Sequence, residues 1–208
     1  QGSFHASTAD YLRMGTDEKF YAEPLTNEVL SVHSPAAFGF LDGDIARIRF
    51  EGKGEISAAE WDADHPSGLH VSEGETISLI GGDIEITNGA FYTEQKVDEF
   101  GNPLFEQKVD EYGDPVYILD DNGAMIPIYT SVPVMKTVRS EDIKAPGGQI
   151  RLVSAAASGE IAFSQDPASD IQGGGKISIS EMSMLDVSGE AGGHIYIRSG
   201  EFVLDESL

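Results

Sequence analysis

Along most of the chain, apolar and polar residues alternate in short runs that stop after three to six positions. The clearest are Ile45-Ala46-Arg47-Ile48-Arg49-Phe50, Thr76-Ile77-Ser78-Leu79-Ile80, Ile84-Glu85-Ile86, Gln149-Ile150-Arg151-Leu152-Val153, Lys176-Ile177-Ser178-Ile179 and His194-Ile195-Tyr196-Ile197. A period of two turns one face of an extended strand toward a core and the other toward water. Helix-period stretches are scarce: Thr8 to Met14 and Ala58-Ala59-Glu60-Trp61 are each expected to make a turn or two, and nothing sustains a 3.6-residue repeat. The pattern predicts an all-β chain.

The punctuation between strands repeats. Four times a Gly-Gly pair, one polar residue and Ile open a strand: at Gly81-Gly82-Asp83-Ile84, Gly147-Gly148-Gln149-Ile150, Gly174-Gly175-Lys176-Ile177 and Gly192-Gly193-His194-Ile195. Glycine reaches positive φ without steric cost, so each pair is expected to turn a corner between sheet faces. A sandwich rarely reuses one corner tetrapeptide, whereas a coil-stacking solenoid does so by construction, so the solenoid is favoured. The pairs are separated by 66, 27 and 18 residues, which implies coils of varying length carrying insertions. Strands after the corners are expected to stack in parallel register, with Ile84, Ile150, Ile177 and Ile195 inside.

A second repeat fills the longest gap. Glu94-Gln95-Lys96-Val97-Asp98-Glu99-Phe100-Gly101-Asn102-Pro103-Leu104-Phe105 is followed at once by Glu106-Gln107-Lys108-Val109-Asp110-Glu111-Tyr112-Gly113-Asp114-Pro115-Val116-Tyr117, and a decayed copy runs from Asp120 to Pro127. Each unit reads strand, Asp-Glu-aromatic-Gly turn, Pro, strand; Pro keeps its neighbour extended and is unfit for a central ladder position. The expected organisation is coils over residues 1–91, an inserted β-hairpin repeat over 92–140 and coils continuing over 141–208.

Charge then narrows the partners. Thirteen Lys and Arg against 36 Asp and Glu give a formal charge of −23, which repels phosphate backbones and anionic headgroups, so nucleic-acid binding is not expected. Cysteine is absent, which removes disulfides, thiolate metal sites and a Cys nucleophile. No apolar run approaches the roughly 20 residues of a membrane-spanning helix, and residues 1–12 lack the basic and apolar stretches of a leader, so membrane insertion is not expected and the chain reads as a segment of something longer.

Several stretches resemble the filamentous-haemagglutinin family of two-partner-secretion exoproteins: Ser3 to Arg13 (SFHASTADYLR), Pro35 to Leu41 (PAAFGFL), Glu73 to Ile84 (EGETISLIGGDI), Ala145 to Ser154 (APGGQIRLVS) and Gly159-Glu160-Ile161. The resemblance spans most of the chain in the family's order. It implies a right-handed parallel β-helix, passage through a dedicated outer-membrane β-barrel transporter, and a place outside or on the surface of a Gram-negative-type bacterium. The family's Asn-Pro-x-Gly secretion motif would precede Gln1, and the hairpin repeat departs from the family's usual pattern.

Candidate chemistry is sparse. Five histidines are scattered, and only Asp62-x-Asp64-His65 with His70 approaches metal-ligand density; Pro66 and Gly68 mark that stretch as an irregular loop. Asp98, Asp110 and Asp120 head acidic turns that could offer oxygens to Ca²⁺, yet none fits a known calcium-loop pattern, and Asp, Asn and Gly are ordinary turn residues. Paired carboxylates on a β-helix could serve a polysaccharide lyase or glycosidase, but with 36 acids chance pairs are expected. No Gly-x-Ser-x-Gly occurs, and Gly173-Gly174-Gly175-Lys176 lacks the spacing of a phosphate loop. Phe100, Phe105, Tyr112 and Tyr117 recur with period 12 on the hairpins, a candidate contact surface for protein or carbohydrate unless they pack one hairpin on the next. The expectation is a non-enzymatic adhesin-like exoprotein segment that spaces and presents loops. A β-helical carbohydrate-active enzyme and a filament formed by end-to-end self-association are the alternatives.

Overall fold

The structure, a computed structural model, describes residues 2–23, 33–56, 68–139, 142–163 and 174–205. Among them every regular element is a strand, so the chain is all-β. Two compact units are present: one comprises Gln1–Glu55, Ala63–Ala90 and Arg139–Leu208, the other Ile56–Asp62 with Phe91–Val138.

The first unit is built on three parallel sheets. The first holds β1 (Phe4–Ser7), β7 (Thr76–Gly81), β16 (Gln149–Ser154) and β20 (His194–Arg198), side by side in that order. The second holds β5 (Ile48–Glu51), β8 (Ile84–Thr87), β18 (Lys176–Ile179) and β21 (Glu201–Leu204), and the third β6 (Leu69–His70), β15 (Ile143–Lys144) and β19 (Leu185–Asp186). Read in chain order, the strands enter the first, second and third sheets in unbroken rotation, and each circuit lies in register on the one before.

That register sorts side chains into columns. Ile77, Ile150 and Ile195 line up in the first sheet, as do Leu79, Leu152 and Ile197; Ile48, Ile84, Ile177 and Phe202 line up in the second. Ile77, Leu79, Ile84, Ile150, Leu152 and Ile177 of these columns form one core with Ile143 of the third sheet, and Ile48 packs against it. Outside, opposite charges meet between circuits: Lys144 Nζ lies 3.0 Å from Asp186, Lys176 Nζ 3.2 Å from Glu201 and Arg49 Nε 3.6 Å from Glu85. Asp142 is buried where the chain re-enters the stack. Its carboxylate accepts the backbone N–H of Ala90 at 3.1 Å and of Met184 at 2.8 Å, and its carbonyl accepts that of Leu69. One residue thus satisfies backbone donors from three circuits that would otherwise be orphaned.

Three sequence expectations need correction. Ile84, Ile150 and Ile177 are buried, but Ile195 is 42% exposed because, among the described residues, β20 is the outermost strand of its sheet. The four Gly-Gly pairs are not one corner: Gly147-Gly148 and Gly192-Gly193 lead into the first sheet, Gly81-Gly82 and Gly174-Gly175 into the second. Within these pairs, only Gly147 and Gly192 take positive φ. What every pair shares is close approach, since a Cβ at Gly82, Gly148, Gly174 or Gly193 would run into the backbone of another circuit. Lastly, Thr8 to Met14 makes no helical turn: Tyr11–Met14 is strand β2. Ala58 to Trp61 lies outside the described residues.

A fourth sheet, antiparallel, was not foreseen. Strands β2, β3 (Glu18–Tyr21) and β4 (Pro35–Phe40) follow β1, and β17 (Gly159–Ala162) follows β16. Both excursions leave between the first and second sheets, two circuits apart, and β17 pairs with β4. Phe40, Ile161, Ile80, Val153 and Ala155 form a second core cluster, so β7 and β16 are buried on both faces.

Candidate contact surface on the branched ribbon

The second unit starts from β9 (Phe91–Gln95), which pairs with β14 (Met135–Arg139). Farther out, β10 (Phe105–Gln107) pairs antiparallel with β13 (Tyr129–Pro133), and β11 (Tyr117–Leu119) with β12 (Met125–Pro127). The return strand runs on almost without a break, but the outgoing strand is interrupted twice by a side hairpin of its own.

Each side hairpin is one copy of the 12-residue repeat. Val97 bridges Pro103 and Val109 bridges Pro115. Between them Asp98 Oδ1 accepts the N–H of Phe100 and of Asn102, both at 2.8 Å, and Asp110 Oδ1 accepts those of Tyr112 at 2.9 Å and Asp114 at 3.0 Å. The end turn repeats this, Asp120 Oδ1 accepting from Asn122 at 2.9 Å and Ala124 at 2.7 Å. Gly101, Gly113 and Gly123 take φ of 84°, 87° and 81°, a left-handed conformation that a side chain at these positions would oppose. The three aspartates offered above as calcium ligands therefore each use one oxygen to close their own turn, and they stand on three separate turns. Asp98 also accepts from the Asn102 amide at 3.0 Å; this bond, with the backbone donors, holds its carboxyl below the usual range.

Where a side hairpin leaves the ribbon, three backbone positions close a ring. Lys96 N–H donates to the Val134 carbonyl, Val134 N–H to Leu104, and Leu104 N–H back to Lys96, at 2.8, 3.0 and 2.8 Å. Lys108, Ile128 and Val116 form the same ring at the second branch, at 2.8, 3.0 and 2.9 Å. Each junction thereby satisfies the three strand ends that a branch would otherwise leave unpaired.

The candidate contact residues divide by position. Phe100 and Tyr112 stand on the turns and are 80% and 82% exposed; Phe105 and Tyr117 begin β10 and β11 and are about half as exposed. No ring pair brings these four together among the described residues. Around them are nine acidic and three basic side chains between Phe91 and Val138. Lys136 sits 2.7 Å from Glu94 and, by hydrogen bonding, lowers the Glu94 pKa.

The four described histidines do not converge. His5 packs edge-on against Phe163 at 4.8 Å, and burial, then the Arg151 charge, lowers its pKa. His33 contacts Glu18 at 3.1 Å, His194 lies 5.9 Å from Tyr196, and His70 is on β6; Asp62, Asp64 and His65 lie outside the described residues. Among the described residues no three His, Asp or Glu side chains are grouped so as to hold a metal.

One polar cluster escaped the sequence reading. Glu160 on β17 accepts from the Tyr11 hydroxyl and from Arg13 Nε, both at 2.8 Å, and Lys19 Nζ stands 4.0 Å over the Tyr11 ring. The ring crosses Gly39 of the intervening strand, where any Cβ would collide with it. Burial pushes the Glu160 carboxyl up, and its bonds to Arg13 and Tyr11 more than reverse that, leaving it below the usual range. Both oxygens are engaged in tying β2 to β17 across β4, which suits a latch better than a catalytic base. Arg13 and Glu160 stand 147 residues apart, so no local motif marks the pair. Set against protein-family models, curated proteins and solved structures, the chain matches none.

Proposed function

We propose that this chain is a length of right-handed parallel β-helix from a secreted bacterial exoprotein of the filamentous-haemagglutinin type, working without catalysis as a spacer that presents a contact surface. The rotation of strands through three parallel sheets supports the β-helix, each circuit being one coil. The same reading puts the protein outside a Gram-negative-type bacterium, delivered by an outer-membrane β-barrel transporter, in adhesion to a protein or carbohydrate.

The observation that carries the contact surface is the ribbon. No buried hydrophobic side chain is contributed between Phe91 and Val138, yet Phe100 and Tyr112 are held outward on turns closed by Asp98 and Asp110. Exposed aromatic residues on rigid turns, present twice, suit avid binding of a repetitive ligand. The acidic surroundings favour neutral or basic partners over anionic ones.

The test immobilises a panel of neutral polysaccharides and extracellular-matrix proteins and measures retention of the intact chain, of Phe100→Ala/Tyr112→Ala and of a variant with residues 92–138 replaced by a short turn. Retention that falls in both variants, with coil unfolding unchanged, supports the reading. Undiminished retention by the deletion variant would overturn it.

A further inference from the structure

We propose that Asn122, on the end turn of the ribbon, is a site of self-modification: its side-chain amide is lost as ammonia and the residue becomes aspartate or isoaspartate. The step needs only the next residue. The main-chain nitrogen of that residue gives up its proton and bonds to the asparagine Cγ, the bond from Cγ to the amide nitrogen breaks, and ammonia leaves behind a succinimide ring. Water then opens the ring at either carbonyl. Attacking atom and target sit in one chain, so the rate is set by whether the backbone can bring them together. Glycine as the attacking residue puts no side chain in the way and lets the backbone rotate.

The chain has four asparagines, at positions 27, 88, 102 and 122. Asn27 lies outside the described residues. Asn102 precedes Pro103, whose nitrogen has no proton to lose, and its amide is held by Asp98 at 3.0 Å. That leaves two Asn-Gly pairs, and the structure treats them oppositely. Asn88 donates its amide to the Gly52 carbonyl at 3.4 Å, and its side chain lies against Gly54. Gly89 is buried, its N–H donates to the Glu181 carbonyl at 2.8 Å, and its Cα is so near the Met182 and Ser183 backbone that no Cβ would fit. Ring closure there would first have to pull the end of β8 out of the stack.

Asn122 and Gly123 are both exposed. Among the described residues no hydrogen bond holds the Asn122 side-chain amide, and no atom lies within 4 Å of where a Gly123 Cβ would stand, so the ring has room to form. The Gly123 N–H donates to the Asp120 carbonyl at 3.0 Å, a bond at an exposed tip of the kind that opens at least cost. Asn122 occupies the place that Phe100 and Tyr112 hold on the other two turns, so only this turn can change in this way. Either product adds a negative charge beside Asp120 and Asp121. Isoaspartate also lengthens the main chain inside the turn, between the Asn122 and Ala124 amides that Asp120 Oδ1 now spans at 2.9 and 2.7 Å.

The test holds the intact chain in mildly alkaline buffer and follows each asparagine by peptide mass spectrometry, with isoaspartate identified by enzymatic methylation. Asn122 should convert at least about tenfold faster than Asn88, and Asn102 should stay unchanged. In urea Asn88 should catch up with Asn122, because folding and not sequence spares it. Asn122→Gln keeps the main-chain donor to Asp120 but demands a larger ring, and should suppress ammonia release from the native chain. Exchange of the Ala124 amide should quicken as isoaspartate accumulates. Equal rates at Asn122 and Asn88 in the native protein, or an Asn122 left intact there, would overturn the proposal.

Discussion

The stack of parallel sheets and the branched ribbon are both made of strands two to six residues long, and they are held by opposite means. In the stack the strands exist because their side chains do: Ile77, Ile84, Ile150 and Ile177 are almost wholly buried, and the backbone pairs parallel beneath them. In the ribbon the order is reversed. Its larger apolar side chains, Val97, Phe100, Val109, Tyr112, Leu119 and Met125 among them, are exposed, and what recurs with fidelity is the hydrogen bonding of the turns and junctions. Removing a side chain should therefore injure the stack, and removing a backbone constraint should injure the ribbon. Hydrophobic burial tolerates long insertions between strands, because each strand needs only the neighbours on which it packs.

The sharpest way to break this contrast is to truncate one residue of each kind. Ile177→Ala should destabilise the stack by about 2 to 5 kcal/mol, whereas Tyr112→Ala should stay within about 0.5 kcal/mol, both read from urea denaturation. Comparable losses from the two would mean that the ribbon has a core after all. Next in size, Asp142→Ala strips partners from the Ala90 and Met184 amides and should cost about 2 to 3 kcal/mol. Restoration to wild-type stability by a hydrophobic isostere such as Leu would show that packing, and not those bonds, holds that corner. Gly39→Ala forces the Tyr11 ring off its strand and should cost about 1 to 3 kcal/mol, with loss of the Tyr11–Glu160 bond; a second substitution, Tyr11→Ala, should make Gly39→Ala nearly silent.

In the ribbon, Gly113→Ala should cost about 1 to 2 kcal/mol of local stability by opposing the left-handed turn. Its effect should appear as faster exchange of the Val116 and Lys108 amides while those of β7 and β16 are unchanged. The smallest effect concerns acid. Glu160 and Asp186 are both held below their ordinary pKa, Asp186 because its bonds to Ser188 and Lys144 outweigh burial. A depressed carboxyl contributes stability that is fully present above its unfolded pKa of about 4 and is lost as pH falls through the folded value. The stack should thus weaken from about pH 4 downward, by less than about 1 kcal/mol for the half-open Glu160. Glu160→Gln should flatten that part of the profile, and an unaltered profile would refute the assignment.

How much of this could be read from residues alone differs between the regions for the same physical reason. Alternation at Thr76–Ile80, Gln149–Val153 and Lys176–Ile179 marks β7, β16 and β18 because the face toward the main core takes Ile and Leu at a period of two, while the second burial of β7 and β16, under the antiparallel sheet, leaves no such mark. The Asp-Glu-aromatic-Gly turns are legible because a left-handed residue calls for Gly. By contrast, the antiparallel sheet depends on Tyr11, Phe38 and Ile161 meeting across distant parts of the chain, and none of its strands alternates cleanly. Ile195 misleads because its pattern is that of Ile177; exposure is decided by what lies above the strand, which no local pattern records. The junction rings are hard to read because the return strand's matching units, Ile126-Pro127-Ile128-Tyr129-Thr130-Ser131 and Val132-Pro133-Val134-Met135-Lys136-Thr137, are six residues long against twelve and share only their Pro between apolar neighbours.

That mismatch has a genetic consequence. Copying one more 36-base stretch into the gene, the commonest accident at a tandem repeat, would deliver a new side hairpin with its Asp and Gly in place. The return strand would gain nothing, and the six residues separating Ile128 from Val134 would have no counterpart for the newcomer. A third branch would hold a carbonyl and an amide with no third member for its ring. The number of copies is therefore set by both strands together, and duplication of the outgoing unit alone should not lengthen this ribbon.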